Sequence, residues 1–250
     1  MVSAIWSMPP YDAKEMPLTF FLKFFQNHGL FKLGKRPQWY TVSKRSRTYV
    51  NEILSQISGE YYKNYKISLV KKLSTGVQVY YGDNNEFFDY DKVIIATHAN
   101  EALSLIDKPS MEERVILSNF NYKENLAVIH TDSNVMPKNK NAWSSWNSCV
   151  NNKKPEINSL TYWLNLLQNL NCKENIFLTL NPFSKIKESK ILQKVKFKHP
   201  YFDRNALDNQ KKLTSFSIFF NSDKSINKEN TLYLKKCCLG LNLLWITAPI

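Results

Sequence analysis

The spacing of apolar positions changes several times along the chain, and each change marks an element. Residues 17–28, PLTFFLKFFQNH, place apolar side chains at 18, 21, 22 and 25, which is helical spacing. Pro17 in the first turn and Gly29 beyond the last are the matching start and stop signals. Residues 39–42 predict a short strand. Residues 46–57, SRTYVNEILSQI, set Tyr49, Val50, Ile53, Leu54 and Ile57 on one helical face, with Ser46 as N-cap. The period then shortens toward two, so KISLV (66–70), GVQVYY (76–81), EFFDY (86–90) and KVIIAT (92–97) predict strands. Gly-Asp-Asn-Asn at 82–85 joins the second and third of these as a hairpin. Helical spacing returns at 100–106 and 110–117, the latter opened by Ser110 with Glu113 three residues on, a capping-box pair.

Strand patterns follow at 125–132 (NLAVIHTD), 142–147 (AWSSWN), 160–167 (LTYWLNLL), 175–181 (NIFLTLN) and 193–200 (QKVKFKHP), with a closing helix at 202–213. No internal repeat is visible. The order predicts an α/β or mixed α+β fold, a mixed sheet with flanking helices. It has too many adjacent strands for a plain doubly wound sheet.

Composition supports a folded chain: 250 residues with 43% apolar side chains can bury a sizeable core. Charge adds a second feature. The formal net charge is +13, and between Met16 and Asn51 there is no Asp or Glu but seven basic residues. They are Lys23, Lys32, Lys35, Arg36, Lys44, Arg45 and Arg47. Such a block attracts phosphates or anionic head groups; the plainer reading is a lysine-rich solvated surface. An anion-binding module for nucleic acid or an acidic membrane surface is therefore one functional alternative. Phe31, Trp39 and Tyr40 interleave with the cations and suit base stacking, but no RNA- or DNA-binding motif accompanies them, so no specific nucleic acid is expected.

Cys149, Cys172, Cys237 and Cys238 have no metal-ligand spacing and suggest a reducing compartment. The expected location is cytoplasmic, with peripheral attachment at a membrane left open by the charge. MVSAIWSMPP has no leader pattern, and no stretch reaches the roughly 20 apolar residues of a transmembrane segment.

Candidate chemistry is sparse. The six glycines, at 29, 34, 59, 76, 82 and 240, include no GxG spacing, and there is no GxxxxGK, HExxH, GxSxG or CxxC. The four histidines, at 28, 98, 130 and 199, are scattered. No catalytic residue and no metal site is nominated.

Four phrases carry more information: AIWSMPP (4–10), RPQWYTVSKRSRTYV (36–50), VIIATHANEAL (93–103, followed by SMEERVIL) and HTDSNVMPKNKNAWSSWN (130–147, with LTYWLNLLQ and FLTLNP after it). In this order they resemble the later part of the flavin-containing amine oxidoreductase superfamily. The likeness is greatest to its bacterial group of predicted NAD/FAD-binding proteins and runs from about residue 1 to 213. The resemblance implies a chain that leaves an FAD domain, builds a substrate domain and returns, passing a hydride from substrate to FAD, with the cofactor supplying the chemistry.

It also implies that the KVIIAT strand ends near the cofactor, so that Ala96, Thr97 and His98 are candidate FAD contacts, with the positive end of the next helix nearby. The competing reading is that Thr97 and His98 merely cap that helix. Ser46 is a fourth candidate. There the family has Gly-Gly-Ser before a helix and close to the flavin, whereas this chain has Lys44-Arg45-Ser46. Trp39, His130, Trp146 and Tyr162, with Trp143 and Trp163 beside them, would line a substrate pocket. The competing readings are core packing for Trp39, cross-strand aromatic packing for the others and a structural role for His130.

Two departures matter. The glycine-rich FAD-binding unit of the family has no counterpart here, and residues 214–250 match no family segment. These imply domains at 1–213 (substrate domain with some FAD-domain strands) and 214–250 (a divergent tail, frame-shifted or poorly ordered). They also imply a truncated relative that binds FAD weakly or not at all. A separately encoded FAD-binding half is the partner this reading admits. The substrate is a small molecule or a lipid, since "amine" is only the superfamily's label.

Overall fold

The computed structural model describes residues 2–6, 8–34, 38, 40, 42–151 and 154–212. Trp39 and the tail 214–250 lie outside the described residues. The elements, in chain order, are α1 (Val2–Ile5), α2 (Pro10–Ala13), α3 (Leu18–Asn27), α4 (Ser46–Ser55), β1 (Ile67–Leu73), β2 (Gly76–Tyr81), β3 (Glu86–Tyr90), α5 (Ala99–Leu105) and α6 (Met111–Ser118). They continue with β4 (Asn121–His130), β5 (Trp146–Asn151), β6 (Lys154–Trp163), α7 (Leu164–Leu167), β7 (Phe177–Leu180), β8 (Ile191–Tyr201) and α8 (Arg204–Lys212).

Two sheets form, β1-β2-β3 and β5-β6-β7-β4-β8, where the sequence predicts one mixed sheet. The pairings β1–β2, β2–β3, β5–β6, β6–β7 and β4–β7 are all antiparallel. The described residues divide into two units, one holding 2–34 and 122–204, the other holding 38–121 and 205–212. The second is thus largely an insertion in the first.

In the first unit the aromatic face of α3 turns inward. Trp6 meets Phe24 edge-on at 4.6 Å, and Phe20 stacks on Phe202 at 5.1 Å. Lys123 pairs with Asp12, tying α2 to β4. Asn181, in a left-handed conformation just past β7, accepts from the Leu126 amide at 3.0 Å and donates to Asn125 at 2.7 Å, so the buried Asn125 carbonyl is satisfied.

In the second unit the predicted hairpin is present. Gly82 and Asn85 take positive φ angles of 66° and 58° in its turn, a conformation these two residue types tolerate best. Gly76 has no substitute without rearrangement: its φ is 143°, and a Cβ there would lie 2.8 Å from the Tyr90 carbonyl oxygen. Val70, Val77 and Val79 are the buried hydrophobic side chains of this sheet. Helix α5 packs on β1 through Ala99 and Ala102, both fully buried, whose small size allows close approach. Just past the helix, Ile106 bridges to Val70 and the Asp107 amide donates to the Val70 carbonyl at 2.8 Å.

Helix α6 begins as predicted. The Ser110 hydroxyl accepts from the Glu113 amide at 3.1 Å, and the Glu113 carboxylate accepts from the Ser110 amide at 2.6 Å. That carboxylate also takes the Lys72 ammonium of β1, at 2.6 Å to both oxygens.

Strand β4 starts four residues before the predicted 125, and three further boundaries differ from the sequence pattern. KVIIAT is not a strand; residues 92–96 have no regular structure. Ile95 is buried but Ile94 is 64% exposed, so the run supplies one anchor to the core and no ladder. At 142–147 the strand starts only at Trp146, because a 3-10 turn over Lys140–Ala142 precedes it. The strand predicted at 160–167 ends at Trp163 and continues as the helical turn α7.

Candidate functional site

Strands β4, β7 and β6 meet at His130. His130 pairs in register with Phe177, and Phe177 with Trp163, so all three point to the same face; Val128, Thr179 and Thr161 share it one pair along. His130 is 0% exposed and both its ring nitrogens are bonded. The Asp132 amide donates to Nδ1 at 3.1 Å, which places the ring proton on Nε2. Nε2 then donates to the Thr179 hydroxyl at 2.7 Å, and that hydroxyl shares a hydrogen bond with the Thr161 hydroxyl at 2.9 Å.

Burial lowers the His130 pKa below 6.5 and outweighs the nearby Asp132 charge, which raises it. Asp132 is itself fully buried. Burial pushes its carboxyl up, but the Lys187 amide at 3.0 Å, the Asn134 amide at 3.2 Å and the Lys190 charge together hold its pKa below 3.8. The result is a neutral imidazole beside an anionic carboxylate, with neither ring nitrogen open to a substrate proton. Chemically the cluster locks three strands in register.

Trp146 and Tyr162 are also a cross-strand pair, meeting edge-on at 5.2 Å. They lie on the opposite face from His130, because Tyr162 and Trp163 are consecutive on β6. Tyr162 is 1% exposed, and burial pushes its phenol pKa strongly upward. Trp146 is 40% exposed. Trp143 instead joins the His130 face, edge-on to Trp163 at 5.3 Å and to Phe177 at 5.7 Å. His130 and the Trp146–Tyr162 pair thus lie on opposite faces of the sheet.

On the nominated cofactor side, the turn before α4 is unusual. Lys44 has φ 60°, and Arg45 has φ 70° with ψ −173°, a region that is almost exclusively glycine's. Helical geometry starts only after this turn, so Arg45 holds the cap position and makes no side-chain cap bond. Ser46, the predicted N-cap, is instead the first helical residue, one place too late to cap. Replacing Arg45 by Gly is expected to stabilise the fold by about 1 kcal/mol, the relieved strain exceeding the entropy that glycine adds to the unfolded chain. A shift in the urea midpoint at unchanged m-value would measure it.

Ala96 is exposed, and Thr97 is half-buried with its hydroxyl donating to the His98 carbonyl at 3.2 Å. The His98 amide donates to the Glu101 carboxylate at 3.3 Å, and His98 Nδ1 lies 3.9 Å from the same carboxylate. A negative charge of the protein's own therefore occupies the start of α5 and offsets the positive end of that helix. With no glycine pair to admit the diphosphate, the described residues do not fit that part of FAD. Among the described residues, no group of three or more His, Cys, Asp or Glu is arranged to hold a metal ion.

No protein-family model matches the chain. No curated protein matches it. Among solved structures it is similar to a CLA-producing fatty acid isomerase from P. acnes, at 9% identity and TM-score 0.46, over 80% of this chain and 51% of that one. It is also similar to a redesigned putrescine oxidase, at 10% identity and TM-score 0.45, over 70% of this chain and 44% of that one. Wild-type putrescine oxidase bound to putrescine matches at 11% identity and TM-score 0.38, over 82% and 36%. The chain spans about half, or less, of the length of these structures.

The sequence places Asp132 beside His130, but Thr161 and Thr179 were missed as members of its cluster. One signal was present: Thr179 is the polar residue inside the apolar run FLTL.

Proposed function

We propose that this chain is the substrate-side portion of a flavin-dependent oxidoreductase of the amine-oxidase type, and that the FAD diphosphate is held by residues other than those described. The observation that carries this reading is the backbone at Lys44-Arg45. The resemblance implies Gly-Gly-Ser before this helix, and the chain keeps glycine-type dihedral angles there although long cations have replaced the glycines. The interleaving of the two units also matches a chain that leaves one domain and returns to it. FAD, when bound, would accept the hydride; this chain's residues would position the substrate, a small molecule or a lipid.

Titration of FAD with the purified chain, followed by flavin fluorescence, tests the reading. Weak, saturable quenching is expected, strengthened in a Lys44→Gly/Arg45→Gly variant whose turn no longer crowds the ring. Stoichiometric flavin absorbance in the isolated wild-type chain would refute the claim that the diphosphate is held elsewhere. Absence of any quenching by either protein at millimolar flavin would refute the flavin reading itself.

A further inference from the structure

Within the first unit, α3 buries one side and leaves an apolar edge uncovered. Phe25 is 4% exposed and faces the core, but Leu18 and Leu22, one helical turn apart, are 66% and 44% exposed. The edge does not end with the helix. Phe31, 52% exposed, packs against Phe25 at 5.4 Å, and Leu30 and the fully exposed Leu33 lie on either side of it in sequence. Helical geometry puts Leu18, Leu22 and Phe25 in neighbouring positions, and Phe31 packs on the buried Phe25, which links the exposed side of the helix to the turn after it.

The charge along this strip is mainly positive. From Lys14 to Gly34 the only acidic residue is Glu15, while Lys14, Lys23 and Lys32 are all exposed. Asp12, just before, is paired with Lys123. An apolar strip flanked by lysines complements an anionic lipid surface: the side chains enter the acyl boundary and the ammonium groups meet head-group phosphates. A nucleic acid would use the same cations, but four of the five exposed apolar side chains (Leu18, Leu22, Leu30 and Leu33) are leucines, which have no ring to stack on a base.

We propose that α3 and the turn after it form a docking surface for an anionic membrane, apart from any flavin chemistry. The test is co-sedimentation of the full chain with phosphatidylcholine vesicles, with and without phosphatidylglycerol, at low and high salt. Binding is expected only to the anionic vesicles, and salt should weaken it. Lys23→Ala and Lys32→Ala should each lower the partition about fivefold. Phe31→Ser with Leu33→Ser should lower it about tenfold or more. Lys23, Lys32 and Leu33 are exposed and Phe31 is half-exposed against Phe25, so circular dichroism melts of each variant are run alongside to separate lost docking from lost folding.

Three results would overturn the proposal: no binding to anionic vesicles at low salt, equal binding to neutral ones, or full binding by the Phe31→Ser/Leu33→Ser variant. Two others would replace it: retention on a single-stranded oligonucleotide without vesicle binding, or a dimer in sedimentation that the same double substitution dissolves.

Discussion

A His130→Ala variant is expected to lose about 3 kcal/mol of unfolding free energy, from a buried cavity and from polar groups left unpaired. The Asp132 amide and the Thr179 hydroxyl would both lose a partner inside the protein, and the ring's contact with Phe177, 5.5 Å between centroids, would go as well. The wild-type protein should also show an acid-side decline traceable to this ring. The folded state holds His130 neutral with its pKa below 6.5, so the unfolded chain binds the extra proton. The stabilisation is therefore full above pH 6.5 and falls away as pH drops below it. Asp132 adds a second decline below pH 3.8, where the unfolded carboxylate takes up a proton before the folded one. Urea unfolding across this range checks both points. If His130→Asn, which cannot titrate, keeps the full wild-type slope just below pH 6.5, the assignment to His130 is wrong.

The second large effect is expected at Glu113. Its carboxylate is 5% exposed, takes both the Lys72 ammonium and the Ser110 amide, and so joins β1 to the start of α6. Glu113→Ala should cost about 2–3 kcal/mol, the lost capping box adding to the lost ion pair. Lys72→Met should cost about 2 kcal/mol, because it strands a buried carboxylate; the ammonium is partly solvated, which keeps the loss below that of a fully buried pair. The double variant should be less damaged than the sum, and a double-mutant cycle measures the difference. If each single change costs under about 0.5 kcal/mol, the pair is not what holds α6 to the sheet.

The parts of the fold set by local chemistry were legible in the sequence. The Gly82–Asn85 turn, the Ser110/Glu113 box and the helical spacing from Leu18 to Phe25 each act over a few residues, and all appear within one or two residues of the predicted place. What failed depended on distant partners. KVIIAT has the composition of a buried strand, but a strand also needs a neighbour's backbone, and composition cannot supply one. His130 looked isolated because Thr179 and Thr161 reach it only through the sheet register. Trp146 and Tyr162 were grouped with His130 by the family resemblance; the pleat, which the sequence alone does not show, puts them on the other face of the sheet. The glycine-like turn is the reverse case. Lys44 and Arg45 read as a departure from the family pattern, and only the dihedral angles reveal the conformation beneath them.

The interleaving of the two units governs how the chain can be made. Phe20 finds its stacking partner only when Phe202 exists, and the whole of 38–121 is synthesised in between. During translation the inserted unit has most of its own partners early, whereas α3 must wait with its rings uncovered. Such long sequence separation slows folding and prolongs the time in which a nascent chain can associate with the wrong neighbour. Yield of native protein should therefore respond more strongly to chaperone supply and growth temperature than the equilibrium stability of the finished molecule would suggest.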